Sequence, residues 1–341
     1  MAEFSGISWC DHTFNPWWGC AKVSPACRFC YANTTDTRWG GKHWGRTAPR
    51  RMMSEGYWAK PKRWNREALA AGKPLFVFAA SMADVFEDHP DVPDARRRLW
   101  DLIEQTPALV WMLLTKRPEN VAAMVPWDRA WPSNVWLGVS AENQRFADQR
   151  IPLLLTQSAT RKFVSAAPLL GPVNLDPAYC DAHGRSEVVT DEGGQEWCGY
   201  CAADGFTGEL SYGHWLDPLN GGIDWVITEG ESGAKARPTH PDWFRSLRDQ
   251  CQTAGVYFHH KQNGEWHHRF PADWSPADAW TNPQRHRWVD PVTGKTKPFA
   301  EFTGTDDRAW AHVARVGLKA AGRLLDGELH DARPFPVGAP A

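Results

Sequence analysis

No apolar run in this chain reaches membrane-spanning length, and its first residues, Met1-Ala-Glu-Phe-Ser-Gly6, lack a charged-then-apolar leader pattern. The two absences argue against a transmembrane helix and a secretory signal, so no membrane partner is expected and the expected location is the cytoplasm. An excess of one charge is missing too: 38 Lys and Arg face 40 Asp and Glu, a formal net charge of -2. No global basic field is therefore present to hold a polyanion. Contact with nucleic acid would have to rest on local runs, Lys60-Pro-Lys62-Arg63-Trp64-Asn65-Arg66 and Arg285-His286-Arg287-Trp288. Basic stretches interleaved with Trp hold phosphates and stack bases. The competing reading is a solvated face whose charged stems lie along apolar surface.

Cysteine is not scarce. Eight cysteines in a chain expected in the cytoplasm point to metal more than to disulfides, and six of them cluster, three within 20–30 and three within 180–201. The first cluster, Cys20-Ala-Lys-Val-Ser-Pro-Ala-Cys27-Arg-Phe-Cys30-Tyr31, has the spacing C-x6-C-x2-C. Cys27 and Cys30 can face one centre from a single tight turn. Cys20 reaches the same centre if the loop folds back, and Gly19 and Pro25 bend the chain there. Three thiolates that leave a fourth iron open are how a [4Fe–4S] cluster takes an external ligand. A zinc site completed by Cys10 or His12 is the second reading. Buried, inert thiols are the third.

From residue 74 onward apolar runs alternate with helical spacing. Strands are expected over 7–14, 74–80, 109–114, 135–139, 162–165, 223–227 and 255–259, and helices over 32–37, 94–106, 119–125, 144–155 and 241–251. Apolar strands separated by helices imply a parallel sheet covered by helices. The expected fold class is α/β, with seven strands favouring a partial or nearly complete (βα) barrel over an open doubly wound sheet. In either form chemistry collects at the strands' C-terminal ends. Here those ends carry polar residues: Ser81 to Asp84, Lys116 and Arg117, Ser140 and Glu142, Glu231 and Ser232, Lys261.

The barrel core is assigned to 1–175 and 219–263, interrupted by an insertion at 176–218. The insertion is poor in apolar residues and carries Cys180, His183, Cys198 and Cys201 as two two-residue-spaced pairs, with His214 as a spare ligand. A structural zinc would replace the missing core; a second iron–sulfur cluster and an unliganded insert are the alternatives. Residues 38–66 read as a long excursion with little periodicity. Residues 264–306 read as a wrap or lid, 307–325 as a closing helix, and the end from Arg333 as disordered.

Several motifs in order carry a resemblance: Trp17-Trp18-Gly19-Cys20 with Cys27 and Cys30-Tyr31, Ser81-Met-Ala-Asp84-Val-Phe86, Leu114-Thr-Lys-Arg-Pro-Glu119, Gly138-Val-Ser-Ala-Glu-Asn143, Gly230-Glu-Ser-Gly233 and Lys261-Gln262. On these the chain resembles the radical S-adenosylmethionine (SAM) proteins, and more narrowly a phage-associated family of unknown function. The resemblance implies a barrel of that type in a bacterial or phage-infected cell. It also implies that Cys20, Cys27 and Cys30 hold a [4Fe–4S] cluster. The open iron would chelate SAM, and an electron from a donor such as flavodoxin or ferredoxin would cleave it to a 5′-deoxyadenosyl radical. Tyr31 would lie near the adenine, Ser81 and Asp84 at the SAM amino group, and Ser140 and Glu142 at the ribose. Gly230, Glu231 and Ser232 would line the SAM or substrate pocket, and Lys116, Arg117 and Lys261 would hold an anionic substrate group. Caps and loop-fixing hydrogen bonds are the competing roles for these polar residues.

Two positions depart from that family's pattern, Ala167 in Ser165-Ala-Ala-Pro and Glu229 in Glu-Gly-Glu-Ser-Gly. The implied substrate is a nucleobase, a nucleotide or phage DNA, and the reaction an isomerisation, a lyase step or a transfer. The alternatives are the same chemistry on a peptide or small metabolite, and a non-catalytic zinc module that binds nucleic acid.

Overall fold

The computed structural model describes residues 5–176, 178–180, 184–185, 188–190, 196–198, 201, 210–212, 215–268, 276–302 and 309–335. Seven strands form its central sheet: β1 (His12–Thr13), β2 (Leu75–Ala79), β3 (Leu109–Thr115), β4 (Val135–Ser140), β5 (Arg161–Ala166), β6 (Trp225–Glu229) and β7 (Tyr257–Gln262). Every pairing is parallel and the spatial order follows the chain order. Because crossovers between parallel strands are right-handed, a sheet that never reverses direction puts all of them on one face. That excludes the doubly wound alternative and yields a curled half-barrel.

Side-chain alternation shows both faces. Val77, Ala79, Leu109, Trp111, Leu113, Val135, Leu137, Val139, Val164 and Val226 point outward into the main core. There they meet α2 (Lys60–Ala71), α3 (Pro93–Glu104), α4 (Gln144–Leu155) and α5 (Pro241–Ala254). Phe76, Phe78, Val110, Met112, Trp136, Phe163, Trp225 and Ile227 point inward with Trp9. Trp225 anchors this inner layer, crossing Trp136 at 6.3 Å and Trp9 at 6.1 Å edge to face. The floor is closed by the C-terminal segment: Trp225 Nε1 donates to the Ala332 carbonyl at 2.9 Å, and the Arg333 guanidinium lies 3.5 Å from the Phe76 ring centre. An inward Cβ at position 138 would lie 2.4 Å from the Phe163 ring, so only glycine leaves room for that aromatic.

Several expectations need correction. The first strand is two residues, not eight, because Ser5 to Asp11 turns back through hydrogen bonds of its own. The excursion at 38–66 contains a helix, Glu55–Trp58, and the start of α2. In α2 Trp64 is buried, stacked on His12 at 4.1 Å, so the first basic run has no base-stacking face. Residues 264–306 include three strands of a small antiparallel sheet: β8 (Trp266–His267), β9 (His286–Val289) and β10 (Thr296–Pro298), joined by β11 (Ala311–Arg315). The closing helix is not formed; β11 and the one-turn helix Leu318–Ala321 stand in its place, divided by Gly317 at φ +89°. Trp288, in the second basic run, stacks on Phe302 (4.2 Å) and His312 (5.0 Å), which occupies its ring faces. Arg333 and Pro334 pack rather than trail. No helix among the described residues is long and apolar enough to cross a membrane. The proposed zinc ligands Cys180, His183 and Cys198, and His214, lie outside the described residues or have side chains outside them; Cys201 is buried.

Candidate active site

The thiol loop crosses the C-terminal end of the half-barrel. It enters through Gly19, whose φ of +119° no branched residue adopts readily and whose Cβ would meet the His43 carbonyl at 2.3 Å. Pro25–Cys27 forms a single 3₁₀ turn, and Cys30 directly precedes the helix α1 (Tyr31–Arg38). All three sulfur-bearing residues are partly exposed, and all three line one cavity of about 170 Å³ that opens to solvent. Its other walls include Tyr31, Ser81, Asp84, Lys116, Arg117, Ser140, Ser165, Glu229 and Lys261, above an apolar base containing Trp9, Phe78 and Leu114. Apolar below with a few convergent polar groups above, the cavity has the make-up of a small-molecule site.

A buried ionic scaffold holds the loop. The Ala21 N–H donates to Glu87 Oε1 at 2.7 Å, and the Ala21 carbonyl accepts from Arg117 Nη2 at 2.8 Å. Glu87 is gripped through both oxygens by Arg50, at 2.8 and 2.9 Å, and Arg50 also donates to the His43 and Gly45 carbonyls. Asp84 accepts from Thr115 Oγ1 (2.8 Å), Lys116 N–H (3.0 Å), Arg117 Nη1 (2.9 Å) and Phe86 N–H (3.1 Å). Its carboxylate is saturated and acts as the organiser of the turn after β3. Arg117 Nη1 also lies 3.6 Å from the Cys20 sulfur. Burial pushes the Cys20 thiol up to about 12, with Asp84 adding to the rise and Arg117 opposing it. On Arg117 burial works against the charge, and Asp84, Cys20 and Glu87 outweigh it and raise its pKa.

The inward residues of successive strands make a polar row. Lys116 Nζ donates to Ser140 Oγ at 2.9 Å, Ser140 is in register with Ser165, and Lys261 Nζ pairs with Glu229 Oε2 at 2.7 Å. Tyr31 closes the rim, its hydroxyl donating to the Ser81 carbonyl at 2.7 Å. Asn15 supports this wall, accepting from Met82 N–H at 2.7 Å.

Of the residues singled out in the sequence, Cys20, Cys27, Cys30, Tyr31, Ser81, Asp84, Lys116, Arg117, Ser140 and Lys261 are brought together on this cavity. Glu142, Gly230, Glu231 and Ser232 do not line it. Glu142 is buried against Arg150 at 2.8 Å, and Gly230 packs its backbone on Asn263, where a Cβ would lie 2.0 Å from the carbonyl. Glu231 pairs with Arg237 at 2.6 Å. Cys10 and His12 lie away from the lining; the Cys10 sulfur faces Ser5 and the Ile7 carbonyl. Among the described residues, no group of three or more His, Cys, Asp and Glu side chains is placed to hold a metal ion. Sequence reasoning missed Glu229, Ser165, Glu87, Arg50 and Arg237. Glu229 stood out only as a departure from a pattern, whereas Arg50 meets Glu87 across 37 positions and carries no local signal.

The family of this chain follows from a match over residues 4–334. The chain belongs to the family described as "Protein of unknown function (DUF5131)". No curated protein and no solved structure matches it.

Proposed function

We propose that this member of the family is a radical SAM enzyme acting on a small anionic substrate, a nucleotide in the first instance. The observation that carries the reading is the shared cavity: Cys20, Cys27 and Cys30 line it together with the strand-end residues Ser81, Lys116, Ser140, Ser165, Glu229 and Lys261. The donor set suits the group. Three thiols and no imidazole favour iron–sulfur ligation, and Cys10 and His12, which would complete a zinc site, lie off the lining. A cluster takes one thiolate per iron, so its ligands need only surround a common space. When bound, a [4Fe–4S] cluster with SAM supplies reductive cleavage to a 5′-deoxyadenosyl radical that takes hydrogen from an unactivated carbon.

The chain's own residues bind and exclude. Tyr31 follows Cys30 and offers an aromatic ring, and Ser81, Ser140 and Ser165 offer hydroxyls on the same lining. Lys116 presents an ammonium to a phosphate or carboxylate. Trp9, Phe78 and Leu114 keep water from below. A DNA substrate draws no support from the two basic runs, because Trp64 is buried and the half-buried Trp288 ring is stacked on Phe302 and His312. An electron donor such as flavodoxin or ferredoxin follows from the chemistry.

Anaerobic reconstitution tests the reading. Wild-type protein takes up iron and sulfide, absorbs in the visible, and releases 5′-deoxyadenosine from SAM with dithionite, whereas Cys20→Ala, Cys27→Ala and Cys30→Ala each lose uptake and product. Colourless wild-type protein after reconstitution, or variants that behave as wild type, overturns it.

A further inference from the structure

We propose that Arg117 is a positioning residue that sets the reduction potential of the iron–sulfur group by donating to the Cys20 sulfur, an inference that rests on the reading given under Proposed function. Its guanidinium is buried and held from three sides, by Asp84 at 2.9 Å, by Glu87 at 3.5 Å and by the Ala21 carbonyl at 2.8 Å. That grip leaves Nη1 aimed at the Cys20 sulfur at 3.6 Å. Cys27 instead meets the Ser24 hydroxyl at 3.7 Å. The arrangement thus singles out one of the three thiols for a cationic donor.

The direction of the effect follows from charge. Reduction adds a negative charge at the sulfurs and irons, and a donor on a ligating sulfur stabilises the reduced form, which raises the potential. The surrounding charges sharpen this. Asp84 and Glu87 are balanced by Arg117 and Arg50. Removing Arg117 leaves a carboxylate uncompensated beside the cysteine loop, which disfavours the added electron further. Neutralising Asp84 acts in the opposite direction. Arg117 therefore has two functions, one in holding the Ala21 turn and one in tuning, and the opposite sign expected of Asp84→Asn distinguishes the second from a loosened turn.

The experiment is a redox titration of the reconstituted full-length protein, followed by absorbance and by electron paramagnetic resonance. Arg117→Met lowers the equilibrium constant for one-electron reduction about tenfold, a shift of about 59 mV to more negative potential. Arg117→Lys keeps the charge, loses the fork and falls between. Asp84→Asn shifts the potential upward. If Arg117→Met fails to fold, Arg117→Lys and Asp84→Asn carry the test through their opposite signs. Variants with wild-type iron and sulfide content and an unchanged potential overturn the tuning role while leaving the radical SAM reading intact. Wild-type protein that takes up no iron overturns that reading and this inference with it.

Discussion

Glu231 reaches the thiol loop through Arg237: its carboxylate accepts from Arg237 Nε at 2.8 Å and Nη2 at 2.6 Å, and the same Nη2 donates to the Pro25 carbonyl at 3.1 Å. Pro25 opens the turn that carries Cys27, so a residue after the sixth strand braces a loop before the second. Arg237 also lies over the Phe29 ring, 5.3 Å from its centre. Together with Glu87 and Arg117, which hold the Ala21 backbone, Arg237 fixes the loop from parts of the chain remote in sequence.

Glu231→Gln keeps the shape and removes the charge. The Arg237 side chain is 27% exposed, which screens the pair. The expected loss is about 1 kcal/mol, roughly a fivefold increase in local opening. Hydrogen exchange of the Cys27 and Arg28 amides, which donate within the turn, reads it. Exchange unchanged at those amides would show that the brace does not bear on the loop.

Gly138 and Phe163 face each other on adjacent strands, Gly138 paired with Phe163 in register. Gly138→Ala puts a methyl 2.4 Å from the ring and forces a shift. Overpacking of this kind costs about 1–3 kcal/mol. Phe163→Leu removes the obstructing edge, so the double variant is more stable than the two single losses predict. Urea unfolding of the four proteins measures the coupling, and strict additivity would refute the steric account.

The parallel sheet was legible because its strands are short, nearly continuous apolar runs such as Leu109–Leu114, and the buried periodicity of Gln144–Leu155 marked a helix that the structure reproduces. Helix α2 was not legible. Its buried stripe is Pro61, Trp64, Asn65 and Ala68, with one large apolar residue in four, so its basic face dominated the pattern. The closing helix failed for the opposite reason: Trp310, Val313 and Val316 mimic helical spacing, while Gly317 and Gly322, both at positive φ, interrupt it. At the site, the cysteines and strand-end residues could be found locally. The scaffold of Arg50, Glu87 and Arg237 could not, because an ion pair between distant residues leaves no periodic trace.

Acid should destabilise the fold through His259 and His260. Both are buried, and burial lowers each pKa from 6.5 to about 4. Between those values the unfolded chain binds more protons than the folded one, so stability is complete above pH 6.5 and falls as pH drops toward 4. At pH 5 the loss approaches about 2 kcal/mol per histidine as an upper limit. His260→Gln flattens the slope while losing the contact with Thr228 Oγ1, 2.9 Å away. Urea midpoints at pH 7.5 and pH 5 decide the matter; a midpoint that holds or rises on acidification contradicts it.

The two cavity lysines should divide their work. Lys261 is neutralised by Glu229 at 2.7 Å, whereas the Lys116 ammonium donates to the neutral Ser140 hydroxyl at 2.9 Å. An anion arriving in the cavity gains a charge-assisted hydrogen bond from Lys116 without breaking an ion pair. Such a bond contributes about 1.5–3 kcal/mol, or roughly tenfold or more in affinity. Wild-type protein should thus bind a nucleoside monophosphate at least about tenfold more tightly than the parent nucleoside. Lys116→Met erases that preference, while Lys261→Met preserves it and instead leaves Glu229 without its cation, which costs stability. Calorimetric titration of both ligands into the three proteins separates the roles, and a phosphate preference that outlives Lys116 would assign anion recognition to another group.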